Sequence, residues 1–343
     1  MGRYFVRRLL QAIPLLFIIS VIVFVLAAKM GDPLATFGGR SMIKSSDRAR
    51  LTRQLGLDQP LYVQYVVWLV GNDWMKLDLD GDKVPETYGT RKGVLRGDLG
   101  TSFITKQPVT KMIAERLPNT LLLMVTSEIV VLIVSLIVGL TSSLRQYSVY
   151  DHAVTAFSFI GYSMPIPLLA LGLMYVFGIY FKRWGLPYFP TTGMFEPDAG
   201  PSWQQTAWHL VLPVTAASLI SIAGYSRYIR SNMLEVMEQD YIRTARAKGL
   251  ADRRVVFVHA LKNAAMPLVT IVGLDLPFLL AGAVVTESIF AWPGMGRLFW
   301  EHTGKSDTPV LMGIIMIISV AVIVFQLITD LTYSFLDPRI RYD

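Results

Sequence analysis

Several stretches of the chain carry residue types that could do chemistry, and each can be weighed against what that chemistry requires. Gly304-Lys305-Ser306 ends like a phosphate-binding loop, in which glycine N–H groups and a lysine hold a nucleotide, but Phe299 stands where the first glycine belongs. Gly161-Tyr162-Ser163-Met164-Pro165 offers a serine but lacks the closing glycine of a nucleophile elbow, and no His-Glu-x-x-His pair is present to hold zinc. Asp78, Asp80 and Asp82 are spaced like the start of a calcium loop, yet Lys83 replaces its glycine and Gly89 sits where a bidentate glutamate is needed. The absence of cysteine removes thiolate nucleophiles, thiolate metal sites and disulfides together. The expectation is a chain with no catalytic residue, metal or cofactor of its own.

Two features survive this filter. Asp275 is a carboxylate inside an apolar run, where it costs about 2.5 to 3.5 kcal/mol on insertion scales. It should therefore meet water, a substrate or a base, or else pair with another membrane subunit. The segment from Glu238 to Pro267 is charged and helix-breaking, in a chain that otherwise reads as one apolar span after another.

The elements that must position them are membrane helices. Apolar residues make up 53% of the 343 positions and charged ones only 17%, and several runs exceed the roughly 18 apolar residues that mark a membrane span. The fold class is therefore an all-α integral membrane protein. Six spans are expected: Leu9–Ala28, Leu117–Leu144, Ala153–Phe181, His209–Ala223, Met266–Glu287 and Val310–Phe335. The first follows Arg3, Arg7 and Arg8 but is long for a signal peptide and lacks a cleavage site, so it reads as a retained helix. Basic residues flanking short loops put the N-terminus, the Arg145–His152 loop, the Tyr225–Asn263 loop and the Asp337–Asp343 tail in the cytoplasm. The middle loop holds Arg227, Arg230, Arg243, Arg246, Lys248, Arg253, Arg254 and Lys262, so the net charge of +7 reflects membrane orientation rather than nucleic-acid binding. The organisation is then 1–29 for the cytoplasmic N-terminus and first helix, 30–116 for a large extracytoplasmic loop domain, 117–335 for the membrane core with its cytoplasmic loop 225–263, and 336–343 for the tail.

In the loop domain Leu61, Tyr62, Tyr65, Val66, Trp68 and Leu69 form an amphipathic helical face, and Gly97-Asp98-Leu99-Gly100 reads as a turn. In the core, Ser163, Pro165 and Pro167 break the third span, so Ser163, Pro165 and Asp275 are the candidates to line a pathway. Glu128 and Glu287 lie nearer span ends and read as structural, while Gly273, Ala281 and Gly282 allow close helix packing. Trp292, Pro293 and Gly294, within the aromatic stretch Ile289–Arg297, form either an external cap over the pathway or an interfacial aromatic belt.

The polar segment resolves into an elbow. Met237, Tyr241 and Ala245 recur every four positions on one helical face, with Arg243, Arg246 and Lys248 on its flanks. Gly249 can end that helix in the left-handed conformation, and Asp252 offers an N-cap for a second helix through Val255, Val256, His259 and Leu261. Such an elbow could dock a partner or lie on anionic headgroups.

At these residues the chain resembles a known family. Tyr241-Ile242-Arg243-Thr244-Ala245-Arg246-Ala247-Lys248-Gly249-Leu250, with His259-Ala260-Leu261-Lys262-Asn263 and Pro267, is similar to the cytoplasmic loop of ATP-binding-cassette importer permeases, and more narrowly of the dipeptide and oligopeptide group. Gly31-Asp32-Pro33, Leu55-Gly56-Leu57-Asp58-Gln59-Pro60, Gly97-Asp98-Leu99-Gly100, Arg116-Leu117-Pro118-Asn119-Thr120-Leu121, Phe290-Ala291-Trp292-Pro293-Gly294-Met295-Gly296-Arg297 and Leu336-Asp337-Pro338-Arg339 agree in order. The long first loop looks like that of the first permease of a pair. Two departures stand out: Arg243-Thr244-Ala245 replaces the Glu-Ala-Ala of the wider superfamily, and the insert Gly71–Arg96 is long.

The resemblance implies a type I ABC importer permease fold in a prokaryotic inner membrane. It implies a second permease subunit, two ATP-binding subunits that hold ATP and magnesium, and an extracytoplasmic solute-binding protein. Glu238, Tyr241, Arg243, Ala245, Arg246, Lys248 and Gly249 would then form the ATPase-coupling element. Cargo would be di- or oligopeptides, with glutathione, a nickel chelate or an oligosaccharide as alternatives on the same machinery. A secondary transporter is a further alternative, although no inverted repeat is visible.

Overall fold

The computed structural model describes residues 2–30, 45–78 and 86–336. Among these residues six helices are long and apolar enough to cross a bilayer: Val6–Lys29, Val109–Leu144, Ile166–Arg183, Trp203–Met237, Asp252–Gly273 and Thr308–Asp330. That number agrees with the six runs expected, because a helix pairs every backbone N–H and C=O within its own segment. In chain order the elements are α1 (Gly2–Lys29), α2 (Ser45–Leu55), α3 (Leu61–Val70), the short antiparallel strands β1 (Lys76–Leu77) and β2 (Thr87–Tyr88), α4 (Val109–Leu144), α5 (Val149–Ser163), α6 (Ile166–Leu173), α7 (Phe181–Arg183), α8 (Trp203–Met237), α9 (Asp240–Ala247), α10 (Asp252–Arg254), α11 (Leu261–Ile289), α12 (Met295–Thr303) and α13 (Thr308–Leu336). Wider π-type turns at Met174–Tyr180 and Val255–Ala260 join α6 to α7 and α10 to α11. Gly31-Asp32-Pro33, the Asp80–Lys83 part of the calcium-like stretch and the Asp337–Asp343 tail lie outside the described residues.

The chain packs as two compact units, one of residues up to Pro118 together with Leu298–Ile323, the other of Asn119–Arg297 together with residues from Val324 on. In the first, Val23, Phe24 and Ala27 of α1 pack with Trp68 of α3 and Met312 and Met316 of α13. The Tyr65 ring meets Phe17 and Phe24 edge-on, with centroids 6.2 and 5.4 Å away, and its hydroxyl lies 2.8 Å from that of Ser20. The face of α3 that packs is thus Tyr65, Trp68 and Leu69, whereas Leu61, Tyr62 and Val66 are exposed. The sequence face was too broad because α3 is apolar nearly all round, and the aromatic partners on α1 choose the side. The Gly97–Gly100 turn forms as expected, with both glycines at positive φ (80° and 87°) and Asp98 Oδ1 accepting from Gly100 N at 2.9 Å.

In the second unit the expected third span is two helices. α5 ends at Ser163, Met164 is extended (φ −89°, ψ 125°), and α6 resumes after Pro165. The cause is local: a proline drives its predecessor out of the helical region. The fourth span is far longer than His209–Ala223, because α8 runs 35 residues from Trp203 to Met237. Arg227 and Arg230, expected in a loop, are therefore helical. Their charges are accommodated, since Arg230 forms a two-pronged pair with Asp151 of α5 (both contacts 2.7 Å) and Arg227 stacks on aromatic rings. Close approach explains two glycines: a Cβ at Gly139 would collide with Ser226 and Ile229 of α8, and one at Gly273 with Thr329 of α13.

Candidate functional site

The elbow exists, and the glycine stop works as the residue types predict. α9 is eight residues long and ends at Gly249, whose φ of +77° is the left-handed conformation and whose N–H bonds Arg246 O at 2.9 Å. Asp252 does not cap the next helix. Ala251 takes the N-cap position and Asp252 is the first helical residue, its carboxylate 3.6 Å from Arg246 Nε.

The buried face of α9 differs from the Met237-Tyr241-Ala245 repeat. Ile242 is fully buried and Ala245 nearly so, in a cluster with Tyr225, Ile229 and Met233 of α8 and Val255, Val256 and Ala260 of the following helical segment. Tyr241 is exposed, and its hydroxyl accepts from Asn263 Nδ2 at 3.1 Å. Helix α8 ends at Met237, so the chain turns before α9 and shifts the repeat by one position. Glu238, Arg243, Arg246, Lys248 and Gly249 are exposed, while Ala245 faces the chain's own core. The product is a short polar surface bolted to α8 by apolar side chains, a shape that can receive a force and pass it to a long helix.

The 289–297 segment is a latch rather than an aromatic belt. Trp292 is completely buried and donates from Nε1 to Asn119 O at 2.9 Å, and Asn119 Nδ2 returns a bond to Pro293 O at 2.8 Å. Thr120 donates to Glu287 Oε1 at 2.6 Å and accepts from Met295 N at 2.8 Å, while Arg297 N donates to Glu287 Oε2 at 3.0 Å. Glu287 is wholly buried and Gly294 passes directly over its carboxyl, where a Cβ would overlap it. Glu287 thus has the structural role expected of it, and the Asn119-Thr120 and Phe290–Arg297 motifs turn out to be one site.

Of the pathway candidates, Ser163 is exposed and its hydroxyl donates to Phe159 O in its own helix at 2.8 Å, and Pro165 caps α6. Asp275 accepts from the Tyr225 hydroxyl at 2.8 Å. Glu128, in the middle of α4 rather than near a span end, lies within electrostatic range of Asp275, and its Oε1 is buried without a hydrogen-bond partner among the described residues. This acidic group on α4, α8 and α11 escaped sequence reading because its members are far apart in the chain.

Two other polar constellations are structural. Asp307 is fully buried and accepts from Ser102 Oγ (2.5 Å) and Phe103 N (3.0 Å), with His302 Nδ1 2.9 Å away. Burial pushes its carboxyl up, but the bonds from His302, Ser102 and Phe103 outweigh this and hold it below the usual range. The three residue types are those of a nucleophilic triad, but the serine donates to the aspartate instead of the histidine, so no base activates it. Gly304-Lys305-Ser306 lies in the short link between α12 and α13, and the position of a phosphate loop's first glycine is Phe299, inside α12, so no glycine-rich loop precedes it.

Comparison with known proteins accords with this geometry. Residues 131–342 match the family model described as binding-protein-dependent transport system inner membrane component, and residues 1–124 match the model of the N-terminal part of such membrane components. The chain is 40% identical over 344 residues to the oligopeptide transport system permease protein AppB of Bacillus subtilis, covering all of both chains. It is 33% identical over 364 residues to the dipeptide transport system permease protein DppB of Escherichia coli K12, covering 100% of this chain and 99% of that one. The di/tripeptide transport system permease protein DppB of Pseudomonas aeruginosa is 35% identical over 353 residues, with 99% and 98% coverage. Among solved structures, a chain of the MetNI methionine ABC transporter in an inward-facing conformation superposes with a TM-score of 0.52 at 16% identity, covering 66% of this chain and 97% of that one. The likeness to that structure concerns the fold.

Proposed function

We propose that this chain, which belongs to the family of binding-protein-dependent transport system inner membrane components, is the permease subunit that carries di- and oligopeptides through an ATP-driven importer. It forms half of the pathway beside a second permease and receives the force of two ATP-binding subunits through its elbow. A solute-binding protein delivers the peptide on the opposite side. The N- and C-termini and the elbow face the cytoplasm, the side to which basic loop residues are retained. Peptide cargo rests on the relatives, whose names specify oligopeptide, dipeptide and di/tripeptide transport.

The observation that carries the coupling role is the two-sided build of α9, with Ile242 and Ala245 seated in the α8 cluster and Tyr241, Arg243 and Arg246 left exposed. A membrane-anchoring loop needs the charges but not the seat. ATP hydrolysis belongs to the partner subunits, and this chain holds neither ATP nor magnesium. Lipid surrounds the spans, and the latch at Trp292, Pro293 and Gly294 closes the outer end of the path. The test is copurification of the chain with its neighbouring ATP-binding subunits, followed by peptide uptake into proteoliposomes with the loaded binding protein. Failure to copurify, or uptake without ATP, would refute the assignment, and the second result would restore the secondary-transporter alternative.

A further inference from the structure

Resting on the peptide-import reading, we infer that Arg227, clamped over Phe159 and Tyr162, binds the C-terminal carboxylate of a peptide in transit. The guanidinium carbon lies 5.0 Å from the Phe159 ring centroid and 5.4 Å from that of Tyr162. Among the described residues its hydrogen bonding is confined to Nε, which donates to Ala223 O at 3.2 Å. The contrast with Arg230 one turn away is chemical. Arg230 is neutralised by Asp151 through both carboxylate oxygens, whereas Arg227 ion-pairs with no carboxylate among the described residues. The clamp also points away from the chain's own core, since Phe159 and Tyr162 are 55% and 61% exposed.

Depth argues for a substrate rather than a headgroup. On the proposed orientation, which puts the Arg145–His152 loop in the cytoplasm, Phe159 and Tyr162 lie two to three helical turns beyond Asp151, roughly 12 to 16 Å along α5. That is about half of the ~30 Å hydrocarbon thickness, beyond the reach of lipid phosphates at the surface. A cation at such depth is costly unless it faces a water-filled path. The break at Met164-Pro165 immediately beyond the clamp interrupts the helix at the same level, as expected beside a cavity. Two aromatic faces hold the guanidinium by cation–π attraction and leave its N–H edge free for the two-pronged grip that fits a carboxylate. Every unmodified peptide carries that group at one end whatever its sequence. The site therefore suits a permease that must accept many peptides.

The test uses the complete transporter in proteoliposomes and peptide pairs that differ only in a free acid or an amide at the C-terminus. Affinities for the binding protein are measured separately, so that the pair chosen differs only in the membrane step. Wild type should move the acid about tenfold faster. Arg227→Met should bring the ratio close to one while subunit copurification is unchanged, and Arg227→Lys should retain part of the preference. Equal rates for acid and amide in wild type, or an unchanged ratio in Arg227→Met, would overturn the site. Loss of the second permease on copurification of Arg227→Met would also overturn it, assigning the arginine to a subunit contact. A wild-type complex that takes up no peptide of either kind would instead refute the peptide-import reading itself, and the site with it.

Discussion

Truncating Ile242 to alanine should uncouple this transporter without dismantling it. Ile242 is fully buried between α9 and the α8 cluster, whereas α9 has only eight residues, too few to be stable as a helix on its own. Its seat is therefore what keeps it in place. Removing the branched side chain should cost about 2 to 5 kcal/mol, and even the lower value shifts the balance between seated and unseated elbow about 30-fold. The surface pairs Arg243–Asp240 and Arg246–Asp252, both at 3.6 Å and solvent-exposed, contribute too little to compensate. In proteoliposomes ATP hydrolysis should continue while peptide uptake per ATP falls at least tenfold, with Ile242→Val intermediate. The ATP-binding subunits should still copurify, because the exposed face of α9 is untouched. Normal uptake per ATP in Ile242→Ala, at a normal membrane level, would refute the lever argument.

Gly294→Ala should push the Glu287 carboxylate off Thr120 and Arg297 N, a loss of about 3 kcal/mol or more from charge-assisted bonds. A lowered thermal midpoint of the detergent-solubilised chain would register it. Asp275→Asn keeps an acceptor for the Tyr225 hydroxyl and should alter uptake while the complex still assembles. Asp275→Leu leaves that buried hydroxyl unpaired and should destabilise by about 1 to 3 kcal/mol, measured in the same thermal assay. Asp151→Asn should destabilise by about 3 kcal/mol at pH 7, the low end for a buried pair because Arg230 keeps 25% of its side chain exposed. The Arg230 hydrogen bond holds the Asp151 carboxyl well below the usual range, so its contribution is present above the unfolded value of about 4. That contribution is lost as pH falls through the depressed folded value, so the gap between wild type and variant should shrink below about pH 4.

The number of spans and the glycine stop of the elbow follow from the sequence alone, because each depends on local physics. A run of apolar residues must cross or be buried, Pro165 must end the helix before it, and a left-handed stop at position 249 suits glycine above all other residues. The family, too, is written in local motifs. Tertiary structure decided which faces are used and which charges are neutralised. Arg230 reads as a loop residue in the sequence, yet it continues a helix because Asp151, 79 residues away, supplies its counter-charge. Neither periodicity nor motif joins Asn119 and Thr120 to Glu287 and Trp292, across gaps of 167 to 173 residues. The same holds for Glu128 and Asp275, and for Arg227 on its aromatic clamp. Contacts between distant residues leave no periodic trace, and in this protein they set the latch, the Glu128–Asp275 group and the aromatic clamp on Arg227.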